Sequence, residues 1–265
     1  MDKINWIEFD TYIKVNNKDF DNLLYLHAFT GNWKNKQILF NKLNNVNFYC
    51  FNMPGHGNTK INNENEVNVK HYAELAIQFI LDHDLNNIIL FGHSMGGGIA
   101  MMICNDNRIV NRIKKIILEA PANNASKENF DLIKQLIPNT LKQMEMIGYE
   151  LFYDPIKFFG NENNFNRFIQ NEFNRLSKQQ YLKNIITKEN QDEFNHLSFN
   201  GIKNNNIKTL LILGGEDKII PYIGTCKTFE NHNNCQIVKI ENAKHVPISE
   251  KFEICFNIID DFINN

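Results

Sequence analysis

Apolar residues along this chain fall into two patterns that alternate. Short continuous apolar runs predict buried strands, and stretches with apolar residues at helical spacing separate several of them. Strands that alternate with helices favour an α/β fold, with a mostly parallel sheet and helices on both of its faces. The six runs are LLYLH (23–27), NFYCFN (47–52), NIILFG (87–92), IKKIILEA (113–120), IKTLLILGG (207–215) and CQIVKI (235–240).

Helical spacing is clearest at residues 69–84, 95–106 and 249–263. The opening stretch, residues 4–17, instead alternates apolar and polar positions. Alternation with a period of two is typical of a half-buried strand. We therefore expect an antiparallel hairpin at the edge of the sheet.

The stretch from residue 122 to 203 breaks the alternation of strands and helices. It is rich in Phe, Asn, Lys and Gln, and predicts several short helices, with Pro138 and Pro155 at helix boundaries. An insertion of about 80 residues between two strands is too long for an ordinary loop. We therefore expect a core formed by residues 1–121 and 204–265, and a helical cap formed by 122–203 over the edge of the sheet where ligands bind.

Composition narrows the classes of protein. Hydrophobic residues make up 43% of the 265, which is enough for a core, and a net charge of −2 argues against a nucleic-acid binder. The five scattered cysteines include no CxxC pair, so neither a zinc site nor a disulfide framework is expected. No run approaches the ~20 apolar residues of a membrane span, and the first ten residues lack a signal-type apolar stretch. The default expectation is a cytoplasmic protein.

The segment Gly92-His93-Ser94-Met95-Gly96 fits the pattern G-x-S-x-G. An apolar run precedes it and a helical stretch of small residues follows it. A nucleophilic serine on a tight strand-to-helix turn needs glycines on either side, because larger side chains would collide there. The alternative is a glycine turn with an incidental serine. We expect His93 to be a packed neighbour of the turn.

A serine hydroxyl needs a base, and the base needs an acid that orients it. The fifth run ends in LILGGEDKIIP, which places Glu216 and Asp217 at the carboxyl end of a strand. The sixth is followed by ENAKHVPISE, which places His245 before the last helix. Of the two acids Asp217 is preferred, and the alternative for His245 is a loop histidine that caps the helix. The order Ser94, acid, histidine is that of an α/β-hydrolase.

The chain resembles the α/β-hydrolase superfamily, in its capped, single-domain esterase and lipase branch. The resemblance covers residues 20–120 and 205–263, and the insertion between them carries no recognisable motif. Five segments stand in the family's chain order: LHAFTGN, NMPGHGNT, GHSMGG, GGEDKIIP and AKHVP.

The resemblance implies a catalytic triad of Ser94 as nucleophile, Asp217 as acid and His245 as base. It also implies that the backbone N–H groups of Phe29 and Met95 form the oxyanion hole. Two residues depart from the family's usual pattern. Ala28 stands where glycine is usual, and Asn52 stands where aspartate is usual. The segment Gly55-His56-Gly57 is interpreted as a structural turn rather than a substrate contact.

The expected function is a serine hydrolase that cleaves carboxylic esters or thioesters of short to medium acyl chains through an acyl-enzyme. Its partner is a small-molecule ester, and no metal or organic cofactor is expected. The chain-length expectation rests on an Asn- and Lys-rich insertion without a long apolar surface. One alternative is a hydrolase of amide or carbon–carbon bonds on the same triad. The other is a non-catalytic ligand-binding protein on this scaffold. Five phenylalanines of the insertion either form an acyl pocket or pack its helices: Phe152, Phe158, Phe159, Phe165 and Phe168.

Overall fold

The computed structural model describes residues 4–203 and 205–265. Among them, seven strands form one sheet in the order β1-β3-β2-β4-β5-β6-β7. Strands β2 to β7 correspond to the six apolar runs and are all parallel, while β1 is antiparallel to β3. The predicted α/β fold with a mostly parallel sheet is therefore confirmed. The strands are β1 (Thr11–Lys14), β2 (Asp21–Leu26), β3 (Val46–Phe51), β4 (Ile88–His93), β5 (Ile113–Glu119), β6 (Lys208–Gly214) and β7 (Cys235–Ile240).

Helices cover both faces of this sheet, as predicted. One apolar core joins one face to α2 and α3, and a second core joins the other face to α1 and α11. The α-helices are α1 (Gln37–Lys42), α2 (Val69–Asp82), α3 (Met95–Ile103), α4 (Phe130–Ile133), α5 (Leu141–Leu151), α6 (Pro155–Phe158), α7 (Glu162–Leu176), α8 (Lys188–Ile202), α9 (Tyr222–Phe229), α10 (Pro247–Glu250) and α11 (Phe252–Asn264). Short 3-10 helices span Trp6–Glu8, Trp33–Lys36, Glu64–Glu66, Val110–Arg112, Asn124–Asn129 and Gln180–Ile186.

The hairpin predicted for residues 4–17 is wrong. Only β1 forms there, and it pairs with β3, while residues 6–8 turn into a 3-10 helix. The cause is Trp6, whose indole N–H donates to Asp82 at 2.9 Å and whose ring packs edge-on against Phe79. These contacts hold the segment against α2, so it cannot supply a second strand. The expected antiparallel edge position is nevertheless correct for β1.

Between β5 and β6 the chain forms α4 to α8 and two 3-10 helices. Pro155 begins α6, as its position in the sequence predicts. Helices α5 and α7 pack together where Gly148 leaves room for Ile169. Helix α8 packs on α3 so closely that a side chain at Gly201 would collide with the carbonyl of Met101. The insertion is therefore packed directly against the helix that follows Ser94.

Candidate active site

Ser94 lies at the turn between β4 and α3, in a strained backbone conformation with φ of 52° and ψ of −115°. The two glycines beside it are required by close backbone contacts. A side chain at Gly96 would run into the carbonyl of Leu26 in the neighbouring strand, and one at Gly92 would meet the backbone of Gly96. The turn is fixed further because the Ser94 N–H donates to the carbonyl of Glu119 at 2.9 Å. The local geometry is that of a strained strand-to-helix turn with a serine at its centre.

The structure brings together the three side chains expected to form a triad. The Nε2 atom of His245, in the loop after β7, lies 2.9 Å from the hydroxyl of Ser94. Its Nδ1 atom lies 2.8 Å from the carboxylate of Asp217, and all three residues are buried. A carboxylate only accepts, so Nδ1–H donates to Asp217 and Nε2 is left to accept from the serine. Glu216, the other candidate acid, instead accepts from the backbone N–H of Ala243.

Asp217 is oriented by the chain that follows it. Its second oxygen accepts from the backbone N–H groups of Ile219 at 2.8 Å and Ile220 at 3.0 Å. Both carboxylate oxygens are therefore occupied by hydrogen bonds. This fixes the carboxylate, and through it the ring of His245.

The two residues expected to supply oxyanion donors, Phe29 and Met95, lie beside the site. Phe29 follows β2 and Met95 is the first residue of α3, and both lie beside Ser94 in the wall of the same small space. Within residues 4–203 and 205–265 neither amide donates to any protein acceptor. The N-terminal N–H groups of a helix are unpaired by construction, so Met95 is a natural donor. The N–H groups of Phe29 and Met95 are therefore the candidate oxyanion donors.

The two departures from the usual family pattern have local explanations. The loop after β2 places its positive φ at Thr30 and not at Ala28, so the alanine is accommodated without backbone strain. Asn52 accepts from the N–H of Trp33 at 2.8 Å and donates to the carboxylate of Asp10 at 2.8 Å. An acid from the edge strand region thus lies beside Asn52.

The Gly55-His56-Gly57 segment forms a turn that holds the insertion. Both glycines have positive φ, at 80° and 55°. The carbonyl of Gly55 accepts from the side chains of Gln179 at 3.1 Å and Tyr181 at 3.0 Å, which belong to the insertion. These contacts agree with the structural interpretation of the segment.

Two buried histidines near the site, His93 and His27, are neutral at neutral pH. Burial lowers the pKa of His93 to about 3 and that of His27 to about 4. The Nε2–H of His93 donates to the carbonyl of His245 at 3.0 Å, which supports the loop that carries His245. His93 is therefore the packed neighbour of the turn that the sequence predicts. In the described part of the chain, the imidazole that contacts Ser94 is that of His245.

A cavity of about 410 Å³ opens on Ser94 and His245. Core residues of the loop after β2 form one wall, and helices of the insertion form the other. A smaller space of about 30 Å³, bounded by Phe194, Ile219 and Ile220, meets Ser94 from another side. A larger groove, about 620 Å³, lies away from these residues, between the N-terminal segment and α2. The insertion contributes Leu136, Met144, Ile147, Leu151, Phe152, Phe158, Phe159, Phe168, Glu172, Arg175 and Leu176 to the 410 Å³ cavity.

Some residues at the site were missed by sequence reasoning. Lys36 and Glu172 line the cavity, and Glu119 lies buried beneath it. Glu119 had a usable signal, since it is an acid within the apolar run IKKIILEA. Lys36 had none, because it stands in a polar segment typical of a solvated loop. Phe165, by contrast, is one of the five candidate phenylalanines but does not line the cavity.

In the range from Ile4 to Asn265, Asn204 excepted, no group of three or more His, Cys, Asp or Glu residues is placed to hold a metal ion. In that same range, no helix is both long and apolar enough to cross a membrane.

The sheet is mostly parallel, and a serine on a strand-to-helix turn is hydrogen-bonded through a histidine to an acid. This combination is typical of a class of hydrolases with an α/β fold. The sequence profile of the alpha/beta hydrolase fold matches residues 21–252. A Mycoplasma genitalium protein named "Putative esterase/lipase 1" is 32% identical over 97% of this chain and 96% of its own. Its Mycoplasma pneumoniae namesake is 31% identical over 98% and 96%. A serine hydrolase from Cycloclasticus zankles has the same fold, with a TM-score of 0.80 at 19% identity over 98% of this chain and 96% of that one. The chain therefore belongs to the α/β-hydrolase family, and its relatives support a hydrolase.

Proposed function

We propose that the protein is a serine hydrolase that cleaves carboxylic esters or thioesters of short to medium acyl chains. The observation that carries the proposal is the continuous path from Ser94 through His245 to Asp217, with contacts of 2.9 and 2.8 Å. That path opens on a cavity large enough for a small ester. The two Mycoplasma relatives are named as esterases or lipases, which favours ester substrates over amides and carbon–carbon bonds.

The proposed reaction has two halves. Ser94 attacks the acyl carbon while His245 takes its proton, and the N–H groups of Phe29 and Met95 stabilise the oxyanion. His245 then returns the proton to the departing alcohol or thiol, leaving an acyl-serine. Water attacks this ester with His245 as base, and the carboxylic acid leaves as Ser94 recovers its proton. Asp217 stabilises the imidazolium formed in each half.

We also propose that residues 122–203 act as a cap on a core of residues 1–121 and 204–265. Support comes from two separate attachments of the insertion to the core. One is the bonding of Gln179 and Tyr181 to Gly55, and the other is the bond from the His245 N–H to the carbonyl of Leu151 at 3.2 Å. A segment that is attached to the core at two places and supplies the apolar wall of the cavity is suited to select the substrate.

The proposed acyl length rests on the cavity. At about 410 Å³ it lies near the lower end of the ~300–1,000 Å³ typical of ligand pockets. The exposed surface of the insertion supports the chain-length proposal less than the sequence suggested. The insertion exposes five apolar side chains, which are Leu141, Met146, Tyr149, Tyr153 and Phe158.

Hydrolysis of a graded substrate panel tests the proposal. We expect wild type to hydrolyse p-nitrophenyl esters with a maximum at short to medium chains, and Ser94→Ala to lose this activity. Acyl-CoA thioesters of the same acyl groups separate ester from thioester preference. A folded wild-type protein that cleaves neither kind of substrate would overturn the function. A maximum at long chains would overturn the chain-length proposal alone.

A further inference from the structure

A buried ion pair lies beneath the candidate site and takes no part in the proposed reaction. The ammonium of Lys36 is 2.6 Å from a carboxylate oxygen of Glu119, and the two side chains are 2% and 0% exposed. Removing two charges from water is costly, and a buried pair is often no more stabilising than apolar side chains of similar size. Stability alone is therefore a weak explanation for this pair.

Glu119 forms hydrogen bonds with Ser94 and with a residue close to His245 in the chain. It ends β5, and its backbone carbonyl accepts from the Ser94 N–H at 2.9 Å. Its side chain accepts from the N–H of Ile248 at 3.1 Å, three residues after His245. The ring of His93, which supports the carbonyl of His245, lies 3.7 Å from the same carboxylate.

Lys36 belongs to the other side of the site. It is the last residue of the 3-10 helix Trp33–Lys36, in the segment between β2 and α1 that also contains Phe29. The ion pair therefore connects the segment that carries one proposed oxyanion donor with the loop that carries the proposed base. Ser94 lies between them.

We propose that Lys36 and Glu119 are positioning residues, whose ion pair holds the Phe29 segment and the His245 loop in register around Ser94. This inference rests on the proposed function. It differs from substrate binding by Lys36, because Lys36 lines the cavity but its ammonium is paired with Glu119.

The charges around Glu119 are consistent with its ion pair to Lys36. Burial raises the pKa of the Glu119 carboxyl, while the ammonium of Lys36 and the hydrogen bond from the Ile248 N–H lower it. Since burial keeps His93 neutral, Lys36 supplies the positive charge that balances Glu119 at neutral pH. Loss of Lys36 leaves a buried carboxylate without its cation, which is strongly unfavourable.

The test compares Lys36→Met, Glu119→Gln and the double variant with wild type. The matched control is Lys42→Met, which breaks the exposed pair between Lys42 and Glu253 that joins α1 to α11. For each protein we measure the melting temperature, then kcat and KM on the best ester of the panel. Fluorophosphonate labelling of Ser94 in wild type and Ser94→Ala, run alongside, tests the proposed function separately.

We expect folded Lys36→Met to lose about 10- to 100-fold in kcat with KM changed less than about twofold, since small displacements of reacting groups have effects of this size. Lys42→Met should match wild type. The double variant should lose less than the sum of its single variants in log kcat, because it leaves no lone buried charge.

An unchanged kcat in folded Lys36→Met overturns the inference, since a merely structural pair would move only the melting temperature. A change confined to KM also overturns it and assigns Lys36 to substrate binding. If Lys36→Met does not fold, Glu119→Gln and the double variant decide. A near-wild-type kcat in Glu119→Gln, or a further loss in the double variant, contradicts the proposal. A lowered kcat in Glu119→Gln that the double variant does not lower further supports it. A wild type that resists labelling and cleaves no ester removes the proposed function, and this inference falls with it.

Discussion

The two walls of the 410 Å³ cavity are built in different ways. On the core wall, Ser94 and its neighbours are held by backbone contacts, such as the approach of Gly96 to the carbonyl of Leu26. On the insertion wall, side chains hold one another, as in the stack of Phe159 on Phe168 with ring centres 4.7 Å apart. Backbone contacts tolerate no added atom, whereas a cluster of rings can repack. The core wall should therefore set the chemistry, and the insertion wall the choice of substrate.

The largest expected effect is on the core wall, at Ser94. Ser94→Ala should lower turnover by several powers of ten while retaining the fold, because the nucleophile is lost and only binding and oxyanion stabilisation remain. Ser249 lines the same cavity without belonging to the proposed triad. Ser249→Ala is therefore the control and should keep near-normal kcat. Comparable losses in both variants would mean that the cavity, and not one activated serine, carries the activity.

The second-largest effect is expected at Phe29, where two variants separate the role of the backbone N–H from that of the ring. Phe29→Pro removes the N–H and should lower kcat by roughly 10²–10³, whereas Phe29→Leu keeps the N–H and should change mainly KM. Ala28→Gly should be nearly silent. Each variant must first show a melting temperature near wild type, because proline can distort the loop. Near-normal kcat in folded Phe29→Pro would remove this segment from the oxyanion hole.

The pH dependence of kcat/KM should be set by residues of the core wall and not by residues of the insertion wall. His93 and His27, with pKa values near 3 and 4, stay neutral above pH 5 and do not titrate with activity. A histidine base must be neutral to accept the serine proton, so kcat/KM should fall on the acid side of its profile by about tenfold per pH unit. Variants of the insertion wall should keep the same midpoint. Rates of His245→Gln across pH 5–9 test the assignment, and a profile like that of wild type would point to another base.

The smallest effect is expected on the insertion wall. Phe159→Leu enlarges the cavity and should shift preference toward longer acyl chains, by about 10-fold or less in the ratio of kcat/KM for neighbouring chain lengths. Phe165 is buried behind this wall and does not line the cavity. Phe165→Leu should therefore lower the melting temperature and leave chain-length preference unchanged. Equal shifts in the two variants would show that packing, not direct contact, sets preference.

The same difference explains what could be predicted from sequence. The turn at Ser94 and the choice of Asp217 depend on short segments whose glycines and strand ends can be recognised locally. The hairpin prediction failed because Trp6 bonds to Asp82, a contact between distant parts of the chain that no local pattern reveals. The Lys36–Glu119 pair was missed for the same reason. Helical spacing could not separate Phe159, which lines the cavity, from Phe165, because that depends on how α5 and α7 pack.

We propose that His245 activates Ser94. The most direct test is reaction with a fluorophosphonate, followed by peptide mass mapping. We expect a single fluorophosphonate adduct, on Ser94. It should be absent from Ser94→Ala and should form far more slowly in His245→Gln. An adduct on another serine, or undiminished labelling in folded His245→Gln, would contradict it.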